Sequence, residues 1–486
     1  MKKKLNIKEI CLFVSFILFI SSQVIPRSLN DLDEIWNFNF ANCIANGLTA
    51  YKDFNIIQGP LLPFICGMFL KIFGQEIIIM RFLTIILDTI IFIMIYKIIK
   101  ILNIKDYFKY LVFIILAFIM KNYFTIDYNW SILLCTLIII YFEIKNTKGS
   151  WKNNLIIGLI SGITITLKQT IGIVIVIATI GYKILDVKNI DQLKEYIKNA
   201  LWKILGVLIV LIIFTSILIK LGAISYYIDY CIKGVGTFSN RISYIDGLIK
   251  SSNILITILS VIPLIIYLIL GVMYLKYKDS KMLTLLVFSV AQLILVYPIS
   301  DETHFVVAIV PTLICICYLL NIWAGKINIP IKEELIINSF LESIIFVASI
   351  MFFINSIYIY NSKNINMELK HFKYIPKDEI GIEDIKEIDE FIISQEKKVY
   401  ILDATAAQYM IPINMYNKNY DMFLKGNLGS KGEEGQIENL KNETNKLILI
   451  MNSNYNRNWQ NPEKVRKYIQ TEMTKIGEIG IFDIYE

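Results

Sequence analysis

Long runs of apolar residues alternate with short charged segments along most of the chain. Cys11–Val24, Ile77–Tyr96, Ile204–Ile219, Ile254–Tyr274 and Leu335–Tyr358 approach or reach the roughly 20 apolar residues that a spanning helix requires. A backbone in lipid has to satisfy its own hydrogen bonds, so these runs predict helices. Pro60–Phe73 is apolar but short, with Pro60 and Pro63 at its start, and reads as a re-entrant or surface-lying helix. The pattern predicts about eleven spans in residues 1–360, with residues 26–75 as a long loop after the first. Residues 361–486 change character. A helical pattern over Glu383–Gln395 is followed by a strand-like run at Val399–Leu402 and a Gly-rich loop at Gly426–Gly435. Another strand-like run at Leu447–Met451 and a helix over Pro462–Lys475 complete the tail, as in a small soluble α/β domain. The expected fold is therefore an all-α polytopic membrane protein carrying a C-terminal α/β domain.

Composition supports the pattern. Of 486 residues, 56% are hydrophobic and 18% charged, less charge than a soluble protein of this size needs to cover its core. The net charge of +7 could suggest nucleic acid, but the lysines gather on no amphipathic face. They occupy alternate loops instead: Lys2, Lys3, Lys4 and Lys8, then clusters around Lys97–Lys109, Lys145–Lys152, Lys183–Lys203 and Lys276–Lys281. With these in the cytoplasm, the other loops face outward and hold Asp31, Asp33, Glu34, Asp53, Asp127, Asp229, Asp246, Asp301 and Glu302. Counting Pro60–Phe73 as a span would invert every later loop. The N-terminus is thus expected inside the plasma membrane and the tail outside it. No small-x-small site follows the first apolar core, so that span reads as uncleaved. The seven cysteines lie in or beside apolar runs and the tail has none, so no disulfide framework is expected there.

The sharpest cluster is Asp31-Leu32-Asp33-Glu34, three carboxylates in four residues beside the first span. Mutual repulsion at a low-dielectric edge predicts raised pKa values, towards a useful general base. The plain alternative is a solvated acidic loop. Lys168 and Arg81 are cations near the same boundary, and either could simply snorkel to the interface. Asp127 could be the N-cap of the span that follows it. Asp301, Glu302 and His304 could bind a divalent metal, but three residues within four positions are too close to define a full site, so the sequence makes no cofactor certain and a divalent metal stays the less expected alternative. Asp88 lies inside an apolar span without an assignable partner. In the tail, Tyr416, Asn427, Asn452, Trp459 and Gln460 suit sugar binding and equally suit ordinary turns.

The residues after Asp33-Glu34 carry a family likeness. Ala41, Gly47, the turn Tyr51-Lys52-Asp53-Phe54 and the segment Gly59-Pro60-Leu61-Leu62-Pro63 resemble the first outer loop of GT-C glycosyltransferases. The protein O-mannosyltransferase and aminoarabinose-transferase branch is the most similar; Gly59-Pro60 departs from it where that branch often has His-Pro-Pro. Arg81, Asp127, the run Gly158–Gly162 leading to Leu167-Lys168-Gln169-Thr170, and the late loop Tyr297–His304 continue the likeness. The resemblance implies a membrane enzyme of the cell envelope that uses a polyprenyl-phosphate sugar as donor. Its acceptor would be a protein, lipid or glycan hydroxyl, and the anomeric centre would be inverted. It also implies Asp33 as general base with Glu34 beside it, and Lys168 and Arg81 on the donor phosphate. Asp53, Asp127, Asp301, Glu302 and His304 would be further site residues.

Two rivals remain from the residues alone. A transporter or flippase of lipid-linked intermediates would need polar residues along a mid-membrane path, where Asp88 stands nearly alone, and no inverted repeat is visible. A polysaccharide polymerase or ligase would rest on large outer loops between late spans, whereas here the largest outer loop follows the first.

Overall fold

The apolar runs are helices in the computed structural model of the chain, which describes residues 7–29, 32–146, 149–237, 241–325, 330–377, 382–416, 428–455 and 462–486. Lys2, Lys3, Lys4, Asp31, Gly426, Asn427, Trp459 and Gln460, named above, lie outside these. The chain divides into two compact units. One comprises residues 1–26, 83–213 and 241–359; the other comprises 27–82, 214–240 and 360–486.

The first unit is a helical bundle. Among the described residues, seven helices are long and apolar enough to cross a membrane. Glu302–Ala308 and Val310–Ala324, bent by 42° at their break, make an eighth when taken as one span. The expected count of about eleven also includes Asp106–Met120, Trp151–Leu167 and Ser280–Leu293, which are 15, 17 and 14 residues long. At 1.5 Å per residue these cover roughly 21–26 Å, less than the ~30 Å hydrocarbon core, so length alone does not make them spans.

Close helix approach in this unit follows from small residues. A Cβ on Gly158 would meet the Lys203 carbonyl oxygen at 2.1 Å, and one on Gly206 would meet the Leu155 carbonyl oxygen at 2.5 Å. Trp151–Leu167 and Ile190–Lys220 therefore touch backbone to backbone, as small residues allow in membranes. Beside that crossing lies a buried ion cluster. The Lys203 ammonium donates to Glu143 and to the Thr179 carbonyl, the Tyr182 hydroxyl donates to Glu143 at 2.9 Å, and Lys183 lies 3.4 Å from the same carboxylate. Each of these charges is paired, as burial demands.

The second unit gathers three separated stretches. Helix Leu61–Phe73 packs along Leu32–Ala45 with Gly67 at the contact, where a Cβ would sit 2.7 Å from the Ala41 carbonyl oxygen. It has 13 residues, in keeping with the short apolar helix read from the sequence. Gly47, at φ 86°, follows the end of Leu32–Ala45 and donates its N–H to the Ile44 carbonyl, a left-handed position natural to glycine.

The tail forms a four-stranded sheet: β1 Lys398–Ile401, β2 Lys446–Met451, β3 Lys475–Ile479 and β4 Phe482–Tyr485, in the order β1-β2-β4-β3. β1 and β2 are parallel, pairing Tyr400 with Ile448, and the remaining pairs are antiparallel. Tyr400, Leu402, Ile448 and Ile450 share one face and pack with Leu440, Val465 and Ile469 from helices Gly432–Asn442 and Glu463–Glu472. Helix Ile382–Ser394 buries Ile385, Ile388 and Ile392, one stripe at helical spacing. The α/β expectation for the tail thus holds, with β3 and β4 and the helix Gly432–Asn442 added to what the sequence suggested.

Candidate functional site

Helix Leu32–Ala45 has Asp33 and Glu34 in its first turn, where the helix dipole favours negative charge. Their environments differ. Asp33 is half-buried, and its backbone carbonyl accepts from the Asn37 amide at 2.8 Å. Glu34 is 2% exposed and bound in a fork to Arg81, which is fully buried. Nε of Arg81 donates to Oε1 of Glu34 at 2.9 Å and Nη2 donates to Oε2 at 2.9 Å. Arg81 also donates to the carbonyls of Arg27 and Ser28, and the Arg27 guanidinium stands 3.3 Å from Glu34.

This geometry corrects the expectation of raised carboxylate pKa values at Glu34. Burial pushes its carboxyl up, but Arg81 and then Arg27 outweigh burial and hold it at about 2. Repulsion between sequence neighbours is overridden by cations brought in by the fold. Asp31 lies outside the described residues.

Asp53 closes the next turn of the chain. Its Oδ2 accepts from the Thr49 N–H at 2.7 Å, while Tyr51, at φ 67°, donates its hydroxyl to the Gln58 carbonyl. Cys231 comes up against the same stretch, 3.2 Å from the carbonyl oxygens of Ile57 and Gln58. The tail fastens the other side of helix Leu32–Ala45. Trp36 Nε1 donates to the Ala404 carbonyl at 2.7 Å, and the amides of Asn42 and Asn46 reach the Tyr416 hydroxyl at 3.3 and 2.9 Å. Sequence reasoning assigned Trp36 no role; one aromatic in an apolar stretch gives no signal of a partner 368 residues away.

In the helical bundle, Lys168 sits at the break between helices Trp151–Leu167 and Gln169–Gly181. Its ammonium donates to Oδ1 of Asn129 at 2.8 Å, and the Asn129 amide donates to Asp127 at 3.2 Å. Asp127 caps helix Tyr128–Lys145 by accepting from the Trp130 N–H at 2.8 Å. Asp301 caps Glu302–Ala308 in the same manner and also bonds Nδ1 of His304 at 2.7 Å. Burial raises the Asp301 carboxyl, but His304 and Lys168 more than offset this and leave it lowered. Glu302 accepts from the Tyr123 and Ser251 hydroxyls, joining two loops at that end of the bundle. Among the described residues, no three His, Cys, Asp or Glu side chains cluster closely enough to hold a metal ion.

The structure therefore brings the predicted residues together in two sets: Asp33, Glu34 and Arg81 in one unit, and Asp127, Lys168, Asp301, Glu302 and His304 in the other. Arg81 is engaged by Glu34, whereas Lys168 donates to Asn129 and helps lower the Asp301 carboxyl.

The fold, helical bundle and small α/β tail together, is shared with a solved membrane protein. Residues 58–219 match the model of the dolichyl-phosphate-mannose-protein mannosyltransferase family. That stretch contains Arg81, Asp127 and Lys168 and begins after Asp33 and Glu34. The chain superposes on ArnT from Cupriavidus metallidurans bound to undecaprenyl phosphate with a TM-score of 0.58 and 10% identity, covering 98% of this chain and 97% of that one. The apo state of the same protein gives a TM-score of 0.57 at 9% identity, with the same coverage. No curated protein matches the sequence significantly.

Proposed function

We propose that the protein transfers a sugar from a polyprenyl-phosphate donor to an acceptor hydroxyl at the outer face of the cytoplasmic membrane. The observation that carries this reading is the first turn of helix Leu32–Ala45. There the buried Glu34–Arg81 pair fixes the helix while Asp33 beside it is only partly buried. The likeness to ArnT bound to undecaprenyl phosphate supports the donor class, and the family match supports transfer of a lipid-linked sugar.

In this mechanism Asp33 takes the proton of the acceptor hydroxyl as its oxygen attacks the anomeric carbon. The bond from that carbon to the phosphate oxygen breaks, and polyprenyl phosphate leaves with the electron pair. Attack opposite the leaving group inverts the centre. The leaving group is already an anion, so no strong general acid is needed, and a cation that holds the phosphate assists departure. Lys168 serves there. Arg81 is given instead to Glu34, whose carboxylate stays ionised and positions the helix that carries the base.

Asp33→Asn should lower turnover of a polyprenyl-phosphate sugar by about 10²–10⁴-fold, the usual worth of a positioned base. Lys168→Met should cost about 10²–10³-fold, as loss of one electrostatic contact does. Wild-type turnover by a well-folded Asp33→Asn protein, assayed against a panel of radiolabelled donors, would remove Asp33 from the mechanism.

A further inference from the structure

The last spanning helix, Ile331–Ser362, is poorly covered by the protein. Its buried side chains are Asn338, Ser349 and Ser356, while Phe340, Val347 and Met351 are each more than half exposed. Between this helix and Ile7–Val24, Ile77–Ile101 and Asp106–Met120 runs a groove of about 390 Å³. Phe16, Phe19, Phe92, Phe113, Phe118 and Phe352 line it, and no acidic side chain does. Three rings form one wall: Phe16 lies 5.0 Å from Phe92 and 4.7 Å from Phe113, centroid to centroid. From Phe113 to Lys121 the groove follows about 12 Å of helix rise.

Lys121 stands at one end, exposed, with its ammonium 5.4 Å from the centre of the Phe118 ring. Among the described residues it pairs with no carboxylate. The segment from Lys121 to Asp127 joins two helices, so this mouth lies at the end of the bundle that holds Asp127 and Lys168.

We infer that this groove binds one hydrocarbon chain of an anionic phospholipid from the surrounding bilayer, with the phosphate at Lys121. Phenyl rings and a single terminal cation match an amphiphile of that polarity. A free phosphate would gain nothing from the rings. A peptide would bring backbone groups that the groove cannot satisfy. The groove lies among lipid-facing side chains, with Phe118 60% and Phe352 48% exposed, so a bilayer lipid reaches it sideways. It shares no residue with the Lys168 cluster, where the donor phosphate is placed, and the inference stands apart from the transfer reaction. The bound chain supplies packing that helix Ile331–Ser362 lacks.

The test is native mass spectrometry of the full-length protein, delipidated and then titrated with phosphatidylglycerol or phosphatidylcholine. One phosphatidylglycerol should be retained per chain, with a preference of about fivefold over phosphatidylcholine from the single lysine. Lys121→Gln should abolish the preference while a lipid is still bound, and Ala348→Phe should fill the groove and abolish retention. Equal retention of the two lipids by the wild type would overturn the inference, as would wild-type preference in Lys121→Gln, which decides the matter should Ala348→Phe fail to fold. Displacement of phosphatidylglycerol by equimolar undecaprenyl phosphate would also overturn it, because the groove would then belong to the donor.

Discussion

Asp33 and Glu34 are adjacent, yet the fold gives them different surroundings. Glu34 shares its two oxygens with a guanidinium in a buried site, where neither partner is tolerable alone. Glu34→Gln or Arg81→Met should each destabilise the protein by about 3–5 kcal/mol, because each strands a buried charge, while replacing both by leucine should cost much less than the sum. Thermal melting of the purified variants measures this. The Glu34 carboxyl is depressed from 4.5 to about 2, so its stabilisation is complete above pH 4.5 and is lost as pH falls towards 2. The melting temperature of the wild type should therefore drop over that window, and Arg81→Met should lose this part of the dependence. The sequence showed where the carboxylates are, but not their ionisation. The neighbours visible along the chain are like charges, whereas the deciding cation is 47 residues away.

Among the elements, those with strong period or length are readable in the sequence: the long spans, the amphipathic helix Ile382–Ser394 and the two hydrophobic strands. β3 and β4 escape because Lys475–Ile479 mixes Gly477 with charge and Phe482–Tyr485 carries Asp483 within its apolar run. Helix Gly432–Asn442 hid behind its glycines, although Glu433 and Glu434 in the first turn and buried Leu440 mark it in hindsight. Short helices enter the expected count of spans because charge alternation needs them, while their lengths fall below the membrane thickness. At this scale Gly67 is the sensitive point. Gly67→Leu would force Leu61–Phe73 away from Leu32–Ala45, at a cost of about 1–3 kcal/mol for overpacking. A lowered melting temperature with reduced transfer is expected, and an unchanged melting curve would show that the two helices do not need their close contact.

For the molecule as a whole, the tail is part of the unit that bears the carboxylates. Residues 360–486 group with 27–82 and 214–240, and Trp36, Asn42 and Asn46 give hydrogen bonds to groups between Ala404 and Tyr416. A boundary near residue 360 is plain in composition, but composition cannot reveal that the tail returns to a helix near the start of the chain. Deleting residues 361–486 should abolish transfer, and Trp36→Phe should lower stability by about 1 kcal/mol through one lost hydrogen bond. Full activity in membranes carrying the truncated chain would show that helix Leu32–Ala45 holds its place without the tail.

The bond from Trp36 to Ala404 also sets a timetable for biogenesis. During synthesis, which runs at about 5–20 residues per second, the first helix and its loop leave the ribosome long before their partner exists. The carboxylate-bearing helix must wait, half-assembled, while every later helix is inserted. Nascent chains stalled short of residue 404 should therefore leave this helix open to proteases, and chains extended past Tyr416 should protect it.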